Sequence, residues 1–270
     1  MQPIEHEPKH TRRLAYLLRI TGRGRGLGRT LKRTLARLRR IHWPLIILAA
    51  LAAFVAAMPA SIRDTLWRGI RSQGSLAGML VLFGLLALSL LASAGQRLDA
   101  WVFQYFNFRG RRPRWLDRAM LGCTQLGSGF APPAIALVLF LNGERYMADE
   151  LLLGSLTLAL VVELAKAVIR RSRPFVRLSQ TRIVGYRPRG RSFPSGHTSQ
   201  AFFLATFLVQ HNPAGAWAGP ALYSLAVLVA VTRMYVGAHY PRDVLAGAIL
   251  GSVWGLLSTV IDQNFLFRIG

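Results

Sequence analysis

Five apolar runs, at residues 43–58, 76–94, 151–169, 217–236 and 244–261, approach or reach membrane-crossing length. They constrain this chain more than any other feature, because a helix needs roughly 20 such residues to cross about 30 Å of hydrocarbon. Two weaker runs are 121–141, with Pro132 and Pro133 inside it, and 198–209, which is short and partly polar. Both can span if their polar ends sit among other helices. Seven segments fill about half of the 270 residues and leave no room for a second globular domain. The expected fold is all-α, a polytopic membrane helix bundle.

Charge points the same way. The chain carries 34 Lys+Arg against 11 Asp+Glu, a net charge of +23, which suits either nucleic acid or an anionic membrane. A soluble nucleic-acid binder has no use for repeated spans, so no nucleic-acid partner is expected. Residues 1–41 hold 12 of the cations. The glycine-arginine piece at 22–28 lacks G-x-G-x-x-G spacing and follows no strand, so it reads as a hinge rather than a dinucleotide loop. Beyond it, Leu27, Leu31, Leu35, Leu38 and Ile41 recur every three or four residues among arginines. That pattern is a basic amphipathic helix suited to an anionic lipid surface.

The first apolar run begins after Arg40 and is longer than a secretory core, so it reads as an uncleaved anchor. The expected organisation is a basic arm at 1–41, an additional span and connection at 42–75, and a membrane domain at 76–270. Cys123 is the only cysteine, so no intrachain disulfide is possible. Residues 96–120 read as an interfacial connection, and 170–196, with eight arginines, as a loop. Gly247, Gly251 and Gly255 repeat every fourth residue, which permits close helix contact, here expected within the monomer. The oligomeric state is otherwise open. His6 and His10 are too short and exposed a pair to indicate a metal, and no other His/Cys/carboxylate group has ligand spacing, so no metal and no cofactor are expected.

Three polar clusters sit at span boundaries. In Lys166–Pro174 a seven-residue separation returns Lys166 and Arg173 to one helical face, and Pro174 should end the helix at Arg173. Two converging cations suit a phosphate. Arg170 and Arg171 read as flanks reaching for headgroups, whereas Glu163 and Lys166 lie within the apolar run, where ionisable groups are usually functional. In Ser192–Thr198, Pro194-Ser195-Gly196 makes a turn into a helix whose free N–H groups can meet an anion, with His197 beside it. In Thr232–Asp243, His239 and Asp243 are four apart where a helix begins. The carboxylate can then fix one imidazole nitrogen and free the other as nucleophile. Arg233 can reach the same pocket.

Lys166 with Arg173-Pro174, then Pro194-Ser195-Gly196-His197, then Arg233 with His239 and Asp243 resemble the three-part signature of the type 2 phosphatidic acid phosphatase superfamily. That superfamily also contains the vanadium haloperoxidases. The match covers residues 166–243; Thr232 departs from the more usual Ser but keeps a hydroxyl. The resemblance implies a six-helix phosphatase core plus the extra N-terminal span, and a metal-independent lipid phosphatase. It implies that His239 attacks phosphorus and forms a phosphohistidine, that Asp243 orients it, and that His197 protonates the leaving alkoxide. Lys166, Arg173, Arg233 and the backbone around Ser195 and Gly196 would stabilise the equatorial oxygens. The substrate would be a phospholipid or polyprenyl phosphate, as a monophosphate or a diphosphate. Competing functions are a lipid phosphotransferase with the same intermediate, vanadate-dependent halide oxidation, against which the spans argue, and a non-catalytic lipid-binding protein, against which the intact signature argues.

Seven crossings would put the arm and the site on one face of a cell (inner) membrane, with 28 Lys/Arg there against 5 opposite. The positive-inside rule makes that face cytoplasmic, while the resemblance favours a periplasmic site.

Overall fold

The computed structural model describes residues 56, 57, 60, 63, 64, 74–90, 93–107, 112–211 and 215–265. The basic arm and nearly all of the first apolar run lie outside them. The chain divides into two compact units, Met1–Ala57 and Met58–Gly270, and the helices below belong to the second.

In chain order these are α1 (Gly74–Ser89), α2 (Ser93–Asn107), α3 (Arg114–Thr124) with a 3₁₀ turn at Gln125–Gly127, α4 (Ala131–Leu141) and α5 (Arg145–Ile169). They are followed by the short α6 (Pro174–Arg177), α7 (Gly196–His211), α8 (Gly215–Tyr235) and α9 (Pro241–Phe265). No strand occurs among the described residues.

The bundle is built around α7, whose residues from Thr198 to Ala201 and from Phe203 to Phe207 are all buried. Its Phe203 and Phe207 share a core with Leu151 and Leu158 of α5 and Leu250 of α9. Leucines on the outer sides of α1 and α5, among them Leu85, Leu88, Leu153 and Leu156, are exposed. A large exposed apolar surface of this kind belongs against lipid.

Helix α9 presses directly on α7 along its glycines. A Cβ at Gly247 would stand 2.7 Å from the Ser195 carbonyl oxygen, one at Gly251 2.1 Å from that of Ser199, and one at Gly255 2.6 Å from Thr206 Cβ. The small-residue stripe is therefore consumed inside the monomer, as expected, letting two backbones approach.

Among the described residues, Arg145–Arg177 and Trp217–Tyr235 are long and apolar enough to cross a membrane. Helices α3 and α4, bent by 60° across their break, make a third crossing if taken together. The run read at 121–141 is therefore broken between two helices rather than continuous. Ser128 closes the 3₁₀ turn, its hydroxyl donating to the Gln125 carbonyl at 2.7 Å. The prolines then occupy the first turn of α4, where a missing N–H costs nothing. Helix α7 is short and carries polar residues at both ends, and its neighbours cover it. Residues 96–120 also depart from expectation: they are mostly helical, and Asp99, Phe103 and Asn107 of α2 are buried.

Candidate active site

The C-terminal ends of α5 and α8 and the N-terminal ends of α7 and α9 meet at one end of the bundle. The end of α5 comes earlier than Pro174 suggested. Its last helical residue is Ile169, and Arg170 turns left-handed at φ 54° and ψ 31°. Lys166 and Arg173 thus do not share a helical face. Lys166 lies in the last turn of α5, while Arg173 is extended (φ −71°, ψ 158°) ahead of α6, as a residue before proline should be.

That extended backbone turns the Arg173 guanidinium inward, where it is 5% exposed. Nη1 donates to the Ala238 carbonyl at 3.1 Å, Nη2 to that of Arg189 at 3.1 Å and Nε to that of Gly190 at 3.3 Å. Nη1 also lies 3.2 Å from His239 Nε2.

His239 lies in the loop between α8 and α9 and is itself buried. Its Nδ1 is 2.7 Å from the Ser192 carbonyl oxygen. These two contacts assign the tautomer. A carbonyl only accepts, so Nδ1 carries the hydrogen; a guanidinium only donates, so Nε2 keeps its lone pair. Burial, the largest influence, pushes the imidazole down to about 4; the charges of Arg173 and Arg233 act with it, over the opposing pull of Asp243. The ring is neutral, and its unprotonated Nε2 faces the Arg173 guanidinium.

Asp243 Oδ2 stands 3.8 Å from His239 Nδ1, within ion-pair range, and accepts the Tyr240 N–H at 2.9 Å. Its Oδ1 accepts from Arg171 Nη1 at 2.6 Å. The nearer fixed acceptor for Nδ1 is therefore the Ser192 carbonyl, a main-chain atom that no residue pattern announces.

Arg233 is buried, and its Nη1 donates to Thr124 Oγ1 at 2.7 Å. Lys166 Nζ donates to Glu163 Oε1 at 2.7 Å and would lie 3.7 Å from a Cβ placed on Gly196. Ser195 is fully buried, and its N–H donates to the Asp243 carbonyl at 2.9 Å. Its hydroxyl accepts from Thr198 Oγ1 at 2.9 Å, and the first amides of α7 are groups that a helix leaves without internal partners, the kind that can meet an anion. His197 opens α7 within electrostatic reach of Arg233, His239, Lys166 and Arg173.

Three side chains behind this pocket escaped the sequence reading. Arg171 bridges Asp99 and Asp243 in two buried ion pairs, and Arg242 Nε donates to Asp99 Oδ2 at 2.7 Å. The Arg171 carbonyl also accepts the Ser192 N–H at 2.9 Å. Two arginines and two aspartates thus form a neutral cluster tied to the loop that holds His239. The apolar setting of Arg171 resembled that of a headgroup-seeking flank; its partners Asp99 and Asp243, each 72 residues away, distinguish the two. Among the described residues no group of three or more His, Cys, Asp or Glu is arranged to hold a metal ion.

A family model described as the PAP2 superfamily matches residues 150–266, which include every site residue proposed from sequence. The undecaprenyl-diphosphatase of Sulfolobus acidocaldarius is 33% identical over 132 residues, 49% of this chain and 63% of that protein. The chain thus spans just under two thirds of that relative. Phosphatidylglycerophosphatase B of Bacillus subtilis is 32% identical over 166 residues, 57% of this chain and 78% of that protein. The crystal structure of a transmembrane PAP2-type phosphatidylglycerolphosphate phosphatase from Bacillus subtilis superposes with a TM-score of 0.62 at 27% identity. It covers 71% of this chain and 97% of that one.

Proposed function

The chain belongs to the PAP2 superfamily, and on that premise we propose that it is a membrane lipid phosphatase acting through a phosphohistidine on His239. The observation that carries this reading is the pair of contacts on one ring, Ser192 carbonyl at Nδ1 and Arg173 at Nε2. They hold a neutral nucleophile with its lone pair beside a phosphate-binding cation.

In the first half-reaction the Nε2 lone pair attacks phosphorus and the bond to the lipid oxygen breaks. His197, protonated once the bound phosphate's negative charge offsets the surrounding cations, gives that oxygen its proton. Arg173, Arg233, Lys166 and the first amides of α7 hold the equatorial oxygens as charge builds on them. Asp243 keeps the His239 loop in place. In the second half-reaction water attacks the phosphohistidine, His197 takes its proton, and the P–N bond breaks to release inorganic phosphate. Side-chain cations supply the positive charge, so the mechanism needs no metal ion. The substrate is a phosphate or diphosphate monoester of a lipid, presented at the membrane surface.

The test is phosphate release by detergent-purified protein in excess chelator, from phosphatidate, phosphatidylglycerol phosphate and a polyprenyl diphosphate. At least one should be turned over, and orthovanadate, whose trigonal-bipyramidal form imitates the transition state, should inhibit. Activity lost to chelator and restored by Mg²⁺ or Zn²⁺ overturns the metal-free mechanism.

A further inference from the structure

A groove of about 110 Å³ runs between α4, α7 and α8 on the membrane side of the site. Every residue lining it is apolar. Its floor exists because α7 and α8 place Ala201, Ala205 and Ala226 there, all buried. Leu126 and Leu225, 47% and 46% exposed, stand at its open edge.

Two relationships tie this groove to the chemistry. The first is helical register. Residues 201, 204 and 208 of α7 follow His197 by four, seven and eleven positions. At about 100° per residue they fall within roughly 40° of it around the helix. His197 therefore heads the same face of α7 that the groove follows, over a length of about 16 Å. The second is contact. A Cβ on Gly127 would stand 2.3 Å from the His197 carbonyl oxygen and 2.8 Å from Val229 Cγ1. Gly127 thus joins the first turn of α7 to Val229, a groove residue, and no larger residue fits there.

We propose that this groove holds a hydrocarbon chain of the substrate's leaving group. The inference rests on the phosphatase reading. In an in-line displacement the leaving oxygen departs opposite the nucleophile, toward the acid His197. A lipid attached to that oxygen continues along the face of α7 on which His197 lies, and that face is an apolar channel. The phosphate is gripped at the bundle end while the chain stays within the hydrocarbon layer, so hydrolysis needs no extraction of the lipid.

The experiment compares kcat/KM for a long-chain and a short-chain ester of the same phosphate headgroup. Wild-type protein should prefer the long chain, with a preference that rises with length and then levels off. Ala201→Leu and Ala205→Leu fill the floor and should lower the long-to-short ratio about tenfold, the scale set by a few methylenes in an apolar pocket. Leu225→Trp narrows the open edge without entering the core and should lower the ratio in the same direction, which guards against misfolding of the alanine variants. A ratio unchanged in all three variants, or a wild-type enzyme indifferent to chain length, overturns the groove and marks it as ordinary boundary-lipid surface. Wild-type protein that releases phosphate from neither ester overturns the phosphatase reading, and the groove with it.

Discussion

Arg171 Nη1 donates to Asp243 Oδ1 at 2.6 Å, and Nη2 of the same guanidinium pairs with Asp99. A buried arginine that bridges two carboxylates cannot lose its charge without stranding both. Arg171→Met should therefore destabilise the protein by about 3–5 kcal/mol. Arg171→Lys should recover only part of that, because one ammonium lacks the planar fork that reaches two partners. Thermal unfolding in detergent reads both. Equal stability of wild type and Arg171→Met would show that the cluster holds nothing in place.

The two histidines should fail differently. His239→Ala removes the nucleophile and should abolish both turnover and phosphoenzyme. His197→Ala removes only the proton donor and should slow turnover of an ordinary lipid ester roughly 100- to 10,000-fold. An activated leaving group needs no proton, so this variant should still build phosphohistidine from such a substrate, detectable by acid-labile radiolabel. Label trapped equally in both variants contradicts the assigned roles.

Stability should depend on the protonation of His239. Its folded value of about 4 lies below the ordinary 6.5, so between these values the unfolded chain binds a proton that the folded chain does not. The stabilisation is fully present above pH 6.5 and is lost as pH falls toward 4, on the order of 3 kcal/mol in all. His239→Asn keeps a donor for the Ser192 carbonyl but cannot titrate. Its melting temperature should fall less than that of wild type across this window, and parallel curves would refute the assignment.

Much of the site was legible in the sequence because the membrane makes polar residues conspicuous. Lys166, His197, Arg233 and His239 stand at the ends of apolar runs, where chemistry is the usual reason for an ionisable group. Less legible was what holds them. The Ser192 carbonyl has no residue signature, and Thr124, the hydroxyl under Arg233, lies 109 positions away. Asp99 sits on α2, whose mixed polar and aromatic composition resembles a surface connection. The break between α3 and α4 did leave a signal, since Gly127-Ser128-Gly129 followed by Pro132-Pro133 is a stop and a start. A long hydrophobic window averaged across it.

Charge bias favours a cytoplasmic site, and labelling can test this. In a Cys123→Ala background, Gln180→Cys marks the loop at the site and Asn142→Cys the turn between α4 and α5, both exposed positions. An impermeant thiol reagent on intact cells should reach Asn142→Cys and spare Gln180→Cys. The reverse pattern puts the site on the outer face.

The hydrogen-bond partners of Arg173 and Arg233 are carbonyls, a hydroxyl and an imidazole, every one of them neutral. Asp99 and Asp243 are already engaged by Arg171 and Arg242. Two desolvated guanidiniums therefore repel each other, Asp243 and Glu163 pull on Arg173, and inorganic phosphate, the proposed reaction's product, would add a counter-charge shared by both arginines. Inorganic phosphate should act as a folding ligand, raising the unfolding temperature in proportion to the logarithm of its concentration. It should also compete with substrate. An enzyme arranged this way is most stable when inhibited, and its turnover in the cell would be governed by how quickly phosphate is cleared from the membrane face on which it works.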